Sequence, residues 1–143
     1  MKKVLKIVSH SERETELLAQ KILSFLTPQD VLILSGELGA GKTLFVRGLA
    51  KALGLNIDEV NSPSYTIVNE YPGEKAMYHF DLYRMADTSE LVEIGWDDYL
   101  LKEGLVVVEW GERAEDFLPD RYFLIEFTIL TETERELSIS LKE

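Results

Sequence analysis

The strongest constraint on the fold of this chain is the segment VLILSGELGAGKTLF, residues 31–45, in which an apolar run meets a glycine-rich loop. The aliphatic residues 31–34 are too few for a helix and predict a buried, central β-strand. Residues 42–53 carry apolar side chains at helical spacing, and Gly54 is a typical residue at which a helix ends. A strand, a loop and a helix in this order predict an α/β fold with some parallel strand pairing.

The loop itself matches G-x-x-x-x-G-K-[ST], the pattern of loops that bind nucleotide phosphates. A triphosphate carries clustered negative charge, which backbone N–H groups can surround only where side chains leave room, and glycines at positions 36, 39 and 41 provide that room. The N-terminus of the following helix directs further N–H groups toward the phosphates. Lys42 would contact the outer phosphates, and the Thr43 hydroxyl would ligate Mg²⁺. A glycine-rich connection with an incidental lysine is the alternative, and the flanking strand and helix argue against it.

An acidic residue at the end of a neighbouring strand usually completes the magnesium site of such a loop. The apolar run 105–108 ends in Glu109, and the alternating segment 78–80 ends in Asp81. Each carboxylate could instead mark a strand end that meets solvent. The residues alone favour a functional role for Glu109 and leave Asp81 evenly open. His79 is more typical of a packed strand residue than of a catalytic base.

Outside this core, alternating and turn-forming segments predict one mixed sheet. Residues 3–8 suggest an edge strand, and two overlapping S-x-x-E patterns then precede the helical spacing of Leu17, Leu18, Ile22, Phe25 and Leu26. Further strands are predicted for 61–72 after a turn at Pro63, for 76–84, for 104–111 and for a C-terminal hairpin over 121–141, while residues 88–102 suggest two short helices broken at Gly95. We therefore predict a single domain, residues 1–143, with a mixed parallel and antiparallel sheet flanked by helices.

Charge and composition narrow the classes of function. With 15 basic and 26 acidic residues the formal net charge is −11, which disfavours direct binding of the chain to an RNA or DNA backbone. There is no cysteine for a disulfide or a thiolate metal site, and two histidines are too few for a typical zinc site. No apolar stretch approaches the roughly 18 residues of a membrane span, so we do not expect an integral membrane protein. The absence of cysteine fits a cytoplasmic protein, which is the location we expect.

Several nucleotide-binding classes lack their signatures here. The guanine-reading N-K-x-D element and the D-x-x-G element of GTPases are absent, as is the LSGGQ sequence of transporter ATPases. A small-molecule kinase remains an alternative, although such an enzyme usually needs a lid and an acceptor pocket, for which 143 residues leave little room. A nucleotide-gated binding module without turnover is the second alternative.

Four motifs occur in the order and approximate spacing of one family: GELGAGKT, NSPSYTIV, HFDLYR and VVVEWGER. By these motifs the chain resembles the bacterial TsaE family, also called YjeE, from about residue 9 to its end. The resemblance implies an ATPase with an abbreviated P-loop fold that acts in the synthesis of tRNA threonylcarbamoyladenosine (t6A). It also implies that ATP hydrolysis is weak in isolation and supports TsaB and TsaD, the pair that transfers the threonylcarbamoyl group. Such a subunit need not bind tRNA strongly itself, in keeping with the acidic charge.

The resemblance also implies roles for individual residues. Lys42 would hold the β- and γ-phosphates. Thr43, Asp81 and Glu109 would complete the Mg²⁺ environment, directly or through water, and Lys42, Asp81 and Glu109 would form the catalytic set. Trp110 would lie in a mobile element. The implied ATP-binding residues are Gly36, Glu37, Leu38, Gly39, Ala40, Gly41, Lys42, Thr43, Leu44, Ser64 and Thr66.

One departure from the family pattern concerns the segment 62–66, which would form a switch near the γ-phosphate. The family commonly has threonine where this chain has Ser64, and a serine hydroxyl can make the same hydrogen bond. Ser64 and Thr66 therefore both remain candidates for the γ-phosphate sensor. The sequence singles out no residue that would orient the attacking water.

Overall fold

The computed structural model describes residues 1–27, 29–56 and 67–143, and within them seven strands form one sheet. The strands are β1 (Lys2–Ser9), β2 (Val31–Gly36), β3 (Val68–Tyr71), β4 (Met77–Asp81), β5 (Leu105–Glu109), β6 (Tyr122–Ile129) and β7 (Arg135–Lys142). The helices are α1 (Glu12–Leu23), α2 (Lys42–Ala52), α3 (Ser89–Glu93) and α4 (Trp96–Leu101), and a 3₁₀ segment covers Gly111–Phe117. Among these residues, no helix combines the length and the apolar character that crossing a membrane requires.

The strand order is β1-β7-β6-β2-β5-β4-β3. Strands β6, β2, β5 and β4 are parallel to one another, and the pairs β1–β7, β7–β6 and β4–β3 are antiparallel. The predicted mixed sheet is confirmed, as are the edge position of β1, the central position of β2 and the C-terminal hairpin. Because the four parallel strands end at the same edge of the sheet, the loop after β2 lies beside the ends of β4 and β5.

Helix α1 begins at the second of the two S-x-x-E patterns, where the N–H of Glu14 donates to the Ser11 hydroxyl over 3.1 Å. It ends at Leu23, three residues earlier than the predicted spacing, because the following N–H groups bond to carbonyls three residues back in a tighter turn. The predicted apolar face is wrong in part, since Leu17 and Phe25 are exposed. The buried residues of the helix are Thr15, Leu18, Ala19 and Ile22.

Two strands end earlier than predicted. Strand β4 stops at Asp81 and not at residue 84, because the chain turns there and the Asp81 carboxylate accepts the N–H of Tyr83 over 3.1 Å. Strand β5 stops at Glu109 and not at residue 111, because Trp110 takes a φ of 62°, which no strand tolerates. The two short helices broken at Gly95 are confirmed. Of the segment predicted for 61–72, residues 61–66 lie outside the described part of the chain.

Hydrophobic clusters cover both faces of the sheet. One cluster joins α1 and α2 to the sheet and includes Phe45, Leu49, Leu34, Val107 and Phe127. The other lies on the face of α3, α4 and the 3₁₀ segment and includes Phe80, Trp96, Ile33, Val106 and Val108. Side chains alternate between faces along a strand, so His79, Asp81 and Glu109 share the face of α2 with Met77 and Val107. The packing of α2 on this face therefore fixes its N-terminus close to the candidate acidic residues.

The contact between α1 and α2 depends on the absence of a side chain at Gly48. A Cβ there would lie 2.4 Å from the Glu16 carbonyl oxygen and 2.8 Å from the Cβ of Ala19. Replacing glycine with alanine inside a helix normally stabilises it by about 0.5–1 kcal/mol. We expect Gly48→Ala to lower the free energy of unfolding instead, by about 1–3 kcal/mol, because the two backbones would have to separate.

Urea denaturation followed by circular dichroism measures this change. Lys51→Ala, on the exposed end of the same helix, is the matched control and should shift the free energy of unfolding by no more than about 0.5 kcal/mol. A Gly48→Ala protein at least as stable as the parent would contradict the close approach of the two helices.

Candidate functional site

The loop between β2 and α2 is shaped by three glycines with positive φ: Gly36, Gly39 and Gly41. Gly36 has a φ of 152°, and a Cβ on it would lie 2.8 Å from the carbonyl oxygen of Phe127. Gly41 has a φ of 104° and is the residue that precedes the first turn of α2. No side chain caps this turn, so no capping residue accepts a hydrogen bond from its N–H groups. An uncapped N-terminus at the end of a glycine-rich loop is a site at which proteins bind anions.

Lys42, the first residue of α2, bends back over the loop and is 6% exposed. Its Nζ donates to the Gly36 carbonyl oxygen over 2.7 Å and lies 3.9 Å from Oε1 of Glu109. The same ammonium lies 5.0 Å from the centre of the Trp110 ring, a cation–π contact. A single cation therefore contacts the loop, the end of β5 and the residue after β5.

Glu109 is the last residue of β5 and is 4% exposed. Its Oε2 lies 2.6 Å from Nε2 of His79, which is 1% exposed and comes from the middle of β4. A buried carboxylate is costly without polar partners, and here each oxygen has a different one: His79 at Oε2 and Lys42 at Oε1. The sequence predicted His79 as a packed strand residue, and it is packed, but with its imidazole on the candidate acid.

Asp81, the other predicted acid, ends β4 directly opposite Glu109 in the parallel register. It is partly exposed, and its Oδ1 accepts the N–H of Tyr83. Thr43 lies in the first turn of α2 with an exposed side chain. The structure thus brings Lys42 and Glu109 into direct proximity and places Asp81 beside Glu109 at the same edge of the sheet.

The oxygen ligands of Thr43, Asp81 and Glu109 suit magnesium, which prefers hard donors. Within the described ranges, no group of three or more His, Asp or Glu side chains is placed to enclose a metal ion. Magnesium usually keeps several waters and binds through one or two carboxylates together with substrate phosphates. The residues present therefore fit a magnesium ion that arrives with a nucleotide, and they do not form a cage for a resident metal.

Trp110 occupies a strained position beside the lysine. Its φ of 62° is unfavourable for a bulky residue. A backbone keeps such a conformation only where several surrounding contacts hold it there. The Trp110 ring lies 4.9 Å from the ring of Tyr83, centre to centre, and the Arg113 guanidinium donates to the Tyr83 carbonyl. These contacts join the turn after β4 to the 3₁₀ segment after β5. The sequence had given Tyr83 no role, since no local pattern relates it to Trp110.

Arg135, at the start of β7, contacts the glycine-rich loop between β2 and α2. Its Nη2 lies 3.4 Å from the Gly39 carbonyl oxygen, and its Nη1 donates to the Thr131 carbonyl over 2.7 Å. The sequence did not single out this residue either. Only the pairing of β7 with β6, and of β6 with β2, brings it next to the loop.

The other predicted binding residues differ in what their side chains can contribute. Ala40 is fully buried, Leu44 is partly buried, and Glu37 and Gly39 are exposed. Leu38 is 92% exposed, so its contribution to a ligand would come from the backbone. Ser64 and Thr66 lie outside the described residues, and their proposed sensing role stays a prediction.

A concavity away from the candidate site lies near the first residues of β4, at the strand end opposite Asp81. Its volume is about 340 Å³, and its lining includes Glu70, Glu74, Glu103 and Tyr78. Three carboxylates make this hollow a poor match for a phosphate group. The loop region at the carboxyl edge of the sheet is therefore the better candidate for nucleotide binding.

Comparison with known proteins gives the family. The family model described as "Threonylcarbamoyl adenosine biosynthesis protein TsaE" matches residues 9–137. The chain belongs to the TsaE family. It is 40% identical over 139 residues to the "tRNA threonylcarbamoyladenosine biosynthesis protein TsaE" of Bacillus subtilis, covering 96% of this chain and 86% of the relative. The protein of the same name from Aquifex aeolicus is 39% identical over 144 residues, covering 99% of this chain and all of the relative.

The fold agrees with this TsaE assignment. The crystal structure of Bacillus subtilis YdiB superposes with a TM-score of 0.79 at 33% sequence identity, covering 99% of this chain and 88% of that chain. The family resemblance and the fold class predicted from the sequence are thereby confirmed. The roles of Lys42, Thr43, Asp81 and Glu109 in this TsaE-family chain stay predictions, now attached to a defined geometry.

Proposed function

We propose that this TsaE-family protein binds and hydrolyses ATP with Mg²⁺ in t6A biosynthesis, as a cytoplasmic partner of TsaB and TsaD. The observation that carries the proposal is the convergence of the uncapped α2 N-terminus, Lys42 and Glu109 at one edge of the sheet. Relatives that match nearly the whole chain are named as t6A biosynthesis proteins, which supports the pathway. The net charge of −11 is consistent with a subunit whose partners contact the tRNA.

In this mechanism the backbone N–H groups of residues 36–43 bind the phosphates, and Lys42 leaves the Gly36 carbonyl and Glu109 to reach the outer phosphates. Thr43, Asp81 and Glu109 would hold the Mg²⁺ ion. When bound, the ion neutralises charge on the transferred phosphoryl group. Catalysis by the protein then consists mainly of positioning and charge stabilisation, which fits a site built on backbone N–H groups and the ammonium of Lys42.

The isolated protein is expected to turn over slowly, because the sequence singles out no residue that would orient the attacking water and no arginine that would complete the charge shell around a γ-phosphate. An arginine supplied or ordered by a partner accelerates related reactions by roughly 10³–10⁵-fold. The test is phosphate release from ATP by the protein alone and with purified TsaB and TsaD. We expect a low rate alone and a large stimulation by the pair.

The same assay separates the two alternatives. A kinase would release little phosphate with TsaB and TsaD and would instead phosphorylate an added acceptor. A nucleotide-gated binding module would bind ATP tightly and release no phosphate under any of these conditions. Either result would overturn the proposed hydrolysis.

A further inference from the structure

The hydrogen bond between His79 and Glu109 is a feature of the site to which the mechanism above assigns no task. Both side chains are almost completely buried, and the Nε2–Oε2 distance is 2.6 Å. In the described part of the chain, the other ring nitrogen, Nδ1, is buried and has no hydrogen-bond partner. The imidazole therefore makes one polar contact, and that contact is to the candidate acid.

The chemistry of the pair favours one arrangement of the shared hydrogen. Where Glu109 is ionised, its carboxylate can only accept hydrogen bonds, so Nε2 of His79 is the donor. The Nδ1 atom then carries a bare lone pair in an apolar environment. A hydrogen on Nδ1 would be worse placed, because it would be a buried donor without an acceptor. His79 is thus held as a directional donor to Glu109.

The two oxygens of Glu109 are held by different groups, and nucleotide binding would release one of them. Oε1 lies near Nζ of Lys42, while Oε2 is bonded to His79. Under the proposed function, on which this inference rests, Lys42 moves to the phosphates. The hydrogen bond to His79 then still holds Oε2 of the Glu109 carboxylate in place, and Oε1 faces the loop.

We propose that His79 is a positioning residue, which fixes the Glu109 carboxylate so that Oε1 faces the nucleotide after Lys42 has moved away. An apolar residue of similar size could fill the same buried space next to Val107, the register partner of His79 in β5. It would leave the carboxylate free to rotate once the lysine departs. An imidazole at position 79 therefore contributes a directed hydrogen bond to Glu109 and does more than fill space.

The first test uses variants in the partner-stimulated reaction. His79→Phe removes the donor and should lower kcat by about 10–100-fold, the usual effect of losing a group that orients a site residue. The affinity for a non-hydrolysable ATP analogue should change by less than threefold, since the buried His79 side chain would not reach a nucleotide. His79→Gln places an amide N–H near the position of Nε2 and should restore most of kcat, whereas the shorter His79→Asn should not.

The second test needs no nucleotide. The chain has two histidines, so ¹⁵N imidazole spectra of the protein and of a His10→Asn variant assign both rings. We expect His79 to carry its hydrogen on Nε2, and Glu109→Gln to shift that resonance while a Glu112→Gln control leaves it unchanged. A hydrogen on Nδ1 would overturn the proposal.

The outcomes of the kinetic test are also distinct. Wild-type turnover combined with an unchanged kcat in His79→Phe would overturn the positioning role and leave the proposed hydrolysis intact. Absence of phosphate release by the wild-type protein with TsaB and TsaD would overturn both. Circular dichroism shows whether each variant folds. If His79→Phe does not fold, the comparison of kcat between His79→Gln and His79→Asn tests the positioning role.

Discussion

Replacing Lys42 with alanine is expected to weaken ATP binding by about 100-fold and to reduce phosphate release by roughly 10²–10³-fold. The lysine is the cation closest to the loop in the described structure, and its Nζ already lies within hydrogen-bond distance of the Gly36 carbonyl. Charge-assisted hydrogen bonds to phosphate contribute about 1.5–3 kcal/mol each, and alanine can replace none of them. Calorimetric titration with an ATP analogue measures the affinity, and phosphate release measures the rate.

The substitution also removes a neighbour of a buried carboxylate, so stability must be separated from binding. Lys42→Met keeps much of the aliphatic stem and should show the same functional loss with less destabilisation. Lys51→Ala, at the other end of α2, should bind ATP as the parent does. Normal turnover by Lys42→Ala in the presence of TsaB and TsaD would rule out the phosphate-binding role of the loop.

The second large effect is expected for Glu109→Gln, which should lower the rate of phosphate release by roughly 10²–10³-fold while ATP binding is kept or tightened. The amide is nearly isosteric and can still accept the hydrogen bond from His79. It removes a negative charge from the proposed phosphate site and weakens the attraction that holds Lys42 in its folded-back position. We therefore expect the rate of phosphate release to fall, while the affinity for ATP rises or stays the same.

The matched control for this change is Glu112→Gln, an exposed carboxylate three residues further along the chain. It should leave both the rate and the affinity at parental values. Loss of ATP binding in Glu109→Gln would show that the carboxylate is needed to build the binding site itself, and a parental rate would remove Glu109 from the catalytic set.

Much of this fold could be predicted because its signals are local. The strand, loop and helix around Lys42 follow from periodicity and from glycine spacing within about 20 residues of sequence. Glu109 could be proposed as a site residue because it closes an uninterrupted apolar run. The predictions failed where the backbone departs from its local pattern, as at Trp110, whose left-handed conformation ends β5 two residues early. The exposure of Phe25 has a similar origin, since the helix tightens before reaching it.

The contacts between distant segments could not be predicted from one sequence. His79 and Glu109 are 30 residues apart, and their meeting depends on the register of β4 against β5. Arg135 lies 96 residues from Gly39 and reaches it only through the order of three strands. No motif encodes either pair, because a register shift of one residue would turn each side chain to the opposite face of the sheet.

The folded-back position of Lys42 bears on the affinity of any triphosphate that binds as proposed. The ammonium group already contacts the carbonyl of Gly36, the carboxylate of Glu109 and the face of Trp110. A triphosphate that draws Lys42 to itself would have to replace these three interactions. Its dissociation constant would then report an exchange of partners and would understate the strength of the contacts in the complex.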